Sequence, residues 1–278
     1  AVSAFKSDAN FSRLNTAGVA SFAAVTFDGK AVFTASTFHD EAHFAASVFN
    51  RPAVFSKSLF GGAARFAGIA TKQSAMFSKV RFTGAADFSG ASFTQYEDFG
   101  GARFDGDAMF SRSSFFAVIR TSYDMDFPQY ANFANAAFAQ GADFSEATFT
   151  AFVGFGRATF AGAVSFNGAN FAGAYFAGAY FADAKFSQKA DFRQTRFAYA
   201  EPSFWDSEGQ QKSARFSAQA NPQDYLFEVR PESPHGFSCG EAQLLNRTFV
   251  LPVGAVLYDP DSWDEEKQEY TRVSEPAQ

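Results

Sequence analysis

The chain has 278 residues, with 40 phenylalanines against three methionines and two tryptophans, and a formal net charge of −6. Such a biased composition predicts that one residue type fills a repeated position. No run of about eighteen apolar residues is present, so a membrane-spanning helix is excluded. A single cysteine excludes an internal disulfide framework and favours a reducing, cytoplasmic location. The chain starts at Ala1 and shows no basic-then-apolar leader, from which we expect a processed or trimmed product.

The charge is distributed unevenly along the chain. Residues 1–197 contain 17 Lys and Arg against 15 Asp and Glu, a net of +2, whereas residues 198–278 contain 6 against 14, a net of −8. The acidity therefore belongs to the C-terminal part. We expect a repeat domain over residues 1–200 and a C-terminal cap or interaction region over residues 201–278.

Phenylalanine recurs at alternating spacings of five and six residues. From Phe5 to Phe197 this ladder has 36 positions, of which phenylalanine fills 33. The other three positions hold Thr16, Thr71 and Thr121. An α-helix would point successive phenylalanines in different directions, because five residues advance it by about 140°. The pattern predicts a solenoid, in which each short side carries one large inward side chain and then turns a corner.

The three threonine positions indicate that volume is exchanged within a layer of the core. Two residues before a ladder position the chain usually has Ala, Ser or Val, but before the threonines it has Leu14, Ile69 and Ile119. A larger residue thus accompanies a smaller one, as a close-packed interior requires. We predict that both positions point into the same layer. We also predict an inward column formed by Phe22, Phe44, Phe66, Phe88 and Phe110.

The units resemble those of the pentapeptide repeat proteins, which have the form A-(N/D)-(L/F)-x-G. Residues 169–186 match unit by unit, and Ala-Asn-Phe or Ala-Asp-Phe recurs at 9–11, 86–88, 131–133, 142–144 and 190–192. The resemblance implies an all-β fold, a right-handed quadrilateral β-helix with four units per coil. The 36 ladder positions then predict about nine coils of 22 residues, with the additional residues at two opposite corners.

After residue 200 the repeat fades, and we predict a small C-terminal capping region with a short strand and a helix. Residues 248–259 have strand composition, and Pro252 indicates an edge or a bend. A solenoid leaves an open sheet edge at each end, which a cap can cover. The N-terminal end shows no cap, since Phe5 already occupies the first ladder position.

Residues 261–273 have helix character, because Ser262 and Glu265 form a capping-box pattern. Three apolar residues fall near one face of this predicted helix. Two interpretations stay open: the region only covers the end of the coil, or it also serves dimerisation or docking. The second interpretation makes these three residues candidate oligomer contacts: Trp263, Tyr270 and Val273.

Few residues offer catalytic or metal-binding chemistry. Cys239 and His235 can be read as a nucleophile and its base, but no family signature surrounds them, and we interpret both as structural. His39 and His43 stand beside two carboxylates, yet the predicted register places both on outer corners or faces, where a solvated role is expected. We therefore expect no catalytic residues, no metal, no cofactor and no small-molecule substrate.

These features favour a non-enzymatic rigid scaffold, or a protein-interaction and assembly module that binds a protein partner or a second copy. The resemblance also implies an alternative, mimicry of duplex DNA, by which some family members bind a type II topoisomerase such as gyrase and protect it from quinolones. Mimicry requires strongly negative faces, whereas residues 42–86 carry six cations and no acid. Residues 128–183 carry few charges, which suits contact with a protein. We do not expect the chain to bind DNA.

The 22-residue register brings five cations together as candidate partner-binding residues. Arg13, Lys57 and Lys79 share one corner column, and Arg81 and Arg103 open the adjoining face. Like charges one strand apart repel each other unless solvent or a partner relieves the repulsion. One interpretation is a solvated edge that keeps the rod soluble. The other is a strip that meets an acidic surface, for which the C-terminal part of a second copy is a candidate.

Overall fold

In the computed structural model, the chain is a coil of short strands wound around a core of aromatic rings. The structure describes residues 3–116, 130–172, 179–206 and 212–278. Stacked turns of the coil form four parallel sheets. The predicted all-β solenoid with four strands per turn is confirmed.

The four sheets are named here as faces 1 to 4, in the order in which the chain visits them. Face 1 consists of Ala4–Phe5, Thr26–Phe27, Val48–Phe49, Ala70–Thr71, Ser92–Phe93, Ser114–Phe115, Thr148–Phe149, Asn170–Phe171 and Arg196–Phe197. Face 2 consists of Ala9–Asn10, Ala31–Val32, Ala53–Val54, Ala75–Met76, Glu97–Asp98, Tyr130–Asn132, Phe152–Gly154 and Ala179–Tyr180. Face 3 consists of Asn15–Thr16, Thr37–Phe38, Leu59–Phe60, Arg81–Phe82, Arg103–Phe104, Ala137–Phe138, Thr159–Phe160, Lys185–Phe186, Arg215–Ser217 and Val256–Tyr258. Face 4 consists of Ala20–Ser21, Ala42–His43, Ala64–Arg65, Ala86–Asp87, Ala108–Met109, Ala142–Asp143, Val164–Ser165, Ala190–Asp191 and Tyr225–Leu226.

The in-register strands stack the phenylalanine rings. Phe27 pairs with Phe49 one turn later, and their ring centroids lie 4.8 Å apart with nearly parallel planes. Rings of neighbouring columns meet edge to face, as Phe33 and Phe44 do at 5.2 Å, an arrangement that the aromatic quadrupole favours. The predicted inward column is confirmed. It has one half-buried ring at the N-terminal end, Phe22, and four fully buried rings, Phe44, Phe66, Phe88 and Phe110.

The corners are of two kinds, which explains the alternation of five and six residues. After each phenylalanine of faces 2 and 4 the chain makes a tight turn, in which Ala35, for example, has a φ of 56°. The N–H of Ser36 donates to the carbonyl of Phe33 at 3.2 Å, as in a type II turn. The six-residue spacings fall at the other two corners, which are opposite each other. The prediction of additional residues at two opposite corners is therefore confirmed.

The layer around Thr71 confirms the predicted exchange of volume. Thr71 stands on face 1 between Phe49 and Phe93, and both Thr71 and Ile69 are only 1% exposed. The large and the small residue therefore share one layer of the core. The equivalent pair near the N-terminal end, Leu14 and Thr16, is half-buried. The predicted pair Ile119 and Thr121 lies outside the described residues.

Before residue 200, two stretches of the described coil depart from the 22-residue register. Phe115 pairs with Phe149, a separation of 34 residues instead of 22. Phe171 pairs with Phe197, a separation of 26 residues. Both additions fall between a strand of face 1 and the next strand of face 2, so the corner between these faces accepts extra residues without disturbing the sheets.

These additions correct the number of turns. The strand register counts one step from Phe115 to Phe133, where the sequence ladder counts three, and one step from Phe171 to Phe181, where the ladder counts two. The nine strands of face 1 therefore span eight turns instead of about nine. Phenylalanine spacing alone cannot distinguish a turn from an insertion that happens to keep the spacing. The three ladder positions concerned lie outside the described residues: Thr121, Phe127 and Phe176.

Beyond residue 200 the chain adds strands to faces 3 and 4 and then covers the end of the coil. The aromatic columns continue through Phe204, Phe216 and Phe227. An antiparallel hairpin of Cys239–Leu244 and Arg247–Pro252 then packs Phe249 and Leu251 into the core. Pro252, for which the sequence indicates an edge or a bend, is the last residue of its strand, and the chain turns directly after it. Two single-turn 3-10 helices occupy Pro222–Asp224 and Pro260–Ser262.

The predicted helix over residues 261–273 is wrong. Trp263–Asp264 and Glu269–Tyr270 form an antiparallel hairpin instead. The Asp264 carboxylate accepts the N–H groups of Glu266 and Lys267, both at 3.0 Å, and so closes the turn. The rings of Trp263 and Tyr270 contact each other across the strands at 4.9 Å. The capping-box pattern did not distinguish a helix from a turn that an aspartate closes.

Candidate functional site

The corner between faces 2 and 3 carries three of the predicted partner-binding residues. Arg13, Lys57 and Lys79 occupy the left-handed position of tight turns at this corner, with φ values of 60°, 64° and 56°, and Ala35 holds the equivalent position between Arg13 and Lys57. Their N–H groups donate to the following turn of the coil, and their side chains point into solvent. Lys57 and Lys79 are separated by one turn, which is roughly 4.8 Å. The structure thus places these cations in one column.

Arg81 and Arg103 lie next to this corner, at directly paired positions on face 3. Sequence analysis missed that the two guanidinium groups share one carboxylate. Asp105 accepts from Nε of Arg81 at 2.7 Å and from Nε of Arg103 at 2.6 Å. The hydrogen bond from Arg103, followed by that from Arg81, lowers the pKa of Asp105 against the effect of desolvation. This carboxylate relieves part of the repulsion between the arginines.

We call these five cations the basic strip: Arg13, Lys57, Lys79, Arg81 and Arg103. Within the described part of the chain, the three residues of the corner column make no ion pair. Asp105 is the acid that pairs with the strip. Five cations against one carboxylate leave the strip with an excess of four positive charges.

The three candidate oligomer contacts lie together at the C-terminal end of face 3. Trp263 and Val273 are 39% and 42% exposed. Tyr270 packs against Tyr258, with ring centroids 4.5 Å apart, and its hydroxyl accepts from Nζ of Lys185 at 3.1 Å. Lys185 points outward from face 3, so the hairpin 263–270 lies over the outer side of that face.

The acidic residues of face 4 are interrupted along the rod. Asp87, Asp143 and Asp191 are its outward carboxylates, and Met109 and Ser165 separate them on the intervening turns. Within the strands of face 4, no two described outward carboxylates stand on adjacent turns; Asp107 lies just before the strand Ala108–Met109. A surface of this kind differs from the regular negative charge of duplex DNA.

A shallow groove of about 390 Å³ opens on face 4. Its carboxylates already have partners within the protein. Asp107 accepts from the N–H of Gly141 at 3.0 Å, and Asp191 binds the guanidinium of Arg193 at 2.6 Å. The groove therefore offers few free polar groups to a small ligand.

The residues considered for catalysis or metal binding are not assembled into a site. His43 lies on the outer side of face 4, where its Nε2 is 2.7 Å from a carboxylate oxygen of Glu41. Cys239 is exposed, yet desolvation of its sulfur raises the pKa to about 11, so the thiol is not ionised at neutral pH. Among the described residues, no group of three or more His, Cys, Asp or Glu side chains is placed to hold a metal ion.

The described ranges also contain no helix with the length and hydropathy needed to cross a bilayer.

Glu97 is a buried titratable residue that sequence analysis did not single out. It is 1% exposed and occupies an inner position of face 2, where its neighbours on the adjacent turns are Ala75 and Ala131. Its carboxyl accepts from the N–H of Gln95 at 3.2 Å. Burial raises its pKa well above the ordinary value. Glu97 stands two residues before the ladder position Phe99, so the sequence pattern could have identified it as an inward carboxyl.

Two parts of the chain match known protein families. Residues 72–114 match the family described as pentapeptide repeats (9 copies), and residues 155–197 match that described as pentapeptide repeats (8 copies). The first segment lies on the part of the coil with the 22-residue register and includes Lys79, Arg81 and Arg103. No curated protein matches the chain.

Proposed function

We propose that this chain, a pentapeptide repeat protein, is a non-enzymatic scaffold that binds an acidic protein surface through its basic strip. The β-solenoid supports a scaffold or interaction module in general. The observation that carries the finer proposal is the pair Lys57 and Lys79, which stand one turn apart without an ion pair among the described residues. Beside them, Arg81 and Arg103 share the single carboxylate of Asp105.

The proposal accounts for the combination of a rigid interior and a charged edge. Every layer of the coil is fixed by stacked rings and by backbone hydrogen bonds to the next turn, so the spacing of the outer side chains is set in advance. Less conformational entropy is lost when a partner binds such a preorganised surface than when it binds a flexible one. Charge complementarity then supplies specificity and speeds association.

The alternative, mimicry of DNA for a type II topoisomerase, requires a continuous acidic face. The interrupted carboxylates of face 4 and the excess of cations on the basic strip support DNA mimicry less than they support an interaction with an acidic protein.

Affinity capture with the intact chain tests the proposal. Lys57→Glu with Lys79→Glu should abolish retention of an acidic partner, and retention by wild type should weaken as salt rises, because exposed charges are screened. The matched control is Arg51→Glu with Lys72→Glu, which makes the same charge change on the same two turns, at the opposite corner of face 2. Equal capture by both double variants would refute the proposal.

A further inference from the structure

We propose that the acidic partner of the basic strip is a second copy of this chain, and that two rods pair antiparallel through face 3. The inference rests on the proposed function, because it uses the same strip. It adds the identity of the partner and the geometry of the contact.

The chain carries its own acidic counterpart on the C-terminal hairpin. Residues 259–269 contain six acids and one lysine. Asp259 pairs with Arg272, and Asp264 with Lys267. The three glutamates of this segment are exposed and make no ion pair with any described residue: Glu265, Glu266 and Glu269.

The hairpin and the basic strip lie on the same side of the rod. The hairpin is fixed to the outer side of face 3 by the contact of Tyr270 with Lys185. The strip occupies face 3 itself, through Arg81 and Arg103, and the adjoining corner. A single partner that approaches face 3 can therefore contact both surfaces.

Within one copy the two surfaces are too far apart to neutralise each other. Arg103 and Lys185 are separated by three strand steps along face 3, which is roughly 14 Å. The three glutamates belong to the hairpin that Tyr270 holds against Lys185, and no ion pair joins them to the described cations of the strip. Exposed charges at this separation are largely screened, because the Debye length is about 8 Å at physiological ionic strength.

A two-fold axis that lies between the two faces, parallel to them and perpendicular to the rods, removes this separation. When two rods lie antiparallel, the hairpin of each copy meets the strip of the other, and the contact is self-complementary. The axis would pass near Ala137 and Thr159, the small, uncharged outer residues between the two surfaces. Their size allows the two faces to approach closely, while Trp263 and Val273 add exposed apolar surface beside the acidic turn.

Sedimentation velocity of the full chain at low salt tests this geometry by charge exchange. Wild type should dimerise reversibly. Lys57→Glu with Lys79→Glu, and separately Glu266→Lys with Glu269→Lys, should each raise the dimer dissociation constant at least about tenfold, because like charges then face each other. Mixing the two double variants should restore a 1:1 dimer, since both contacts become complementary again. Circular dichroism would check that each variant keeps its fold.

Three outcomes would overturn the inference: a wild type that stays monomeric at high concentration, a mixture that fails to dimerise, or assemblies larger than a dimer. A monomeric wild type whose strip still captures an acidic protein would refute the dimer and leave the proposed function intact. If the variant Lys57→Glu with Lys79→Glu behaved like wild type in both sedimentation and affinity capture, the dimer and the proposed function would both be refuted.

Discussion

The inside and the outside of the coil differ in how strictly their residues are determined. Inside, the ladder positions hold phenylalanine with few exceptions, and the buried exception Thr71 is compensated by Ile69 in the same layer. Outside, equivalent positions on successive turns vary freely: face 3 presents Leu59, Arg81, Arg103 and Ala137 in turn. Packing density determines the inner residues, whereas solvent accepts almost any outer residue. The outer residues are therefore where function can be encoded without cost to the fold.

The largest expected effects come from the interior pair on face 1. Ile69→Ala should lower the free energy of unfolding by about 2–5 kcal/mol, because it leaves a cavity. Thr71→Phe should cost about 1–3 kcal/mol through overpacking. The double variant restores the ordinary combination of alanine and phenylalanine and should be milder than the sum. Urea unfolding of the four proteins measures this coupling, and strictly additive effects would show that the two side chains do not share a layer.

The equivalent pair at the N-terminal end provides the control. Leu14 and Thr16 are only half-buried, and Phe5 at the same end of the coil is 38% exposed. Leu14→Ala and Thr16→Phe should therefore each change stability less than the matching substitution in the interior. Equal effects at both places would mean that burial does not set the cost.

The buried carboxyl of Glu97 should make stability depend on pH. The pKa of Glu97 is raised in the folded state, so the unfolded chain releases the proton first as the pH rises above about 4.3. Stability is then lost between that pH and the raised pKa of the folded state. Glu97→Gln keeps the acceptor for the N–H of Gln95 and should raise the melting temperature at pH 8. At pH 4 the two proteins should melt at similar temperatures, and an equal gain at both values would exclude ionisation as the cause.

Most residues in the left-handed position of the corners have exposed side chains but a constrained backbone. Substitutions there should change the free energy of unfolding only slightly. Ala46 has a φ of 57°, which costs an L-residue with a Cβ about 1–2 kcal/mol. Ala46→Gly removes that strain but loses about 0.5–1 kcal/mol to the entropy of the unfolded chain. We expect a net stabilisation of up to about 1 kcal/mol by chemical denaturation. Ala45→Gly, at the preceding position of the same turn, should destabilise, and a gain from both substitutions would contradict the explanation.

The smallest effect on stability is expected at the outer residue Asp105. Its hydrogen bonds to Arg103 and Arg81 lower its pKa, so its contribution is present at neutral pH and is lost as the pH falls through that lowered value. Asp105→Asn should cost less than about 1 kcal/mol, as for other exposed pairs. The same change frees two arginines and should tighten binding of an acidic surface severalfold at low salt. Weaker binding, measured by sedimentation, would show that Asp105 orients the arginines instead of neutralising them.

The interior of this fold could be predicted from the sequence because one residue type repeats at spacings that only a solenoid explains. The stacked column from Phe44 to Phe110 and the exchange between Ile69 and Thr71 follow directly from that repeat. The number of turns could not be predicted, because the insertion after Phe116 preserves the spacing of phenylalanines. Only the pairing of strands on either side distinguishes an insertion from a turn.

The outer features were predictable only in part. The 22-residue register placed Lys57 and Lys79 in one column, since it fixes which residues lie above one another. It did not reveal that Asp105 bridges two arginines, which depends on side-chain conformations at a corner. The hairpin around Trp263 was missed because a short acidic segment satisfies helix-cap and turn patterns equally well.

Zero-length carbodiimide cross-linking of a mixture of ¹⁴N- and ¹⁵N-labelled chains would detect the contact between the basic strip and the hairpin of a second copy, since it joins lysines only to carboxylates in contact. The account predicts mixed-isotope cross-links that join Lys57 or Lys79 to Glu265, Glu266 or Glu269, with far fewer from Lys72. Mixed-isotope cross-links from Lys72 at equal frequency, or none between the strip and the hairpin, would contradict it.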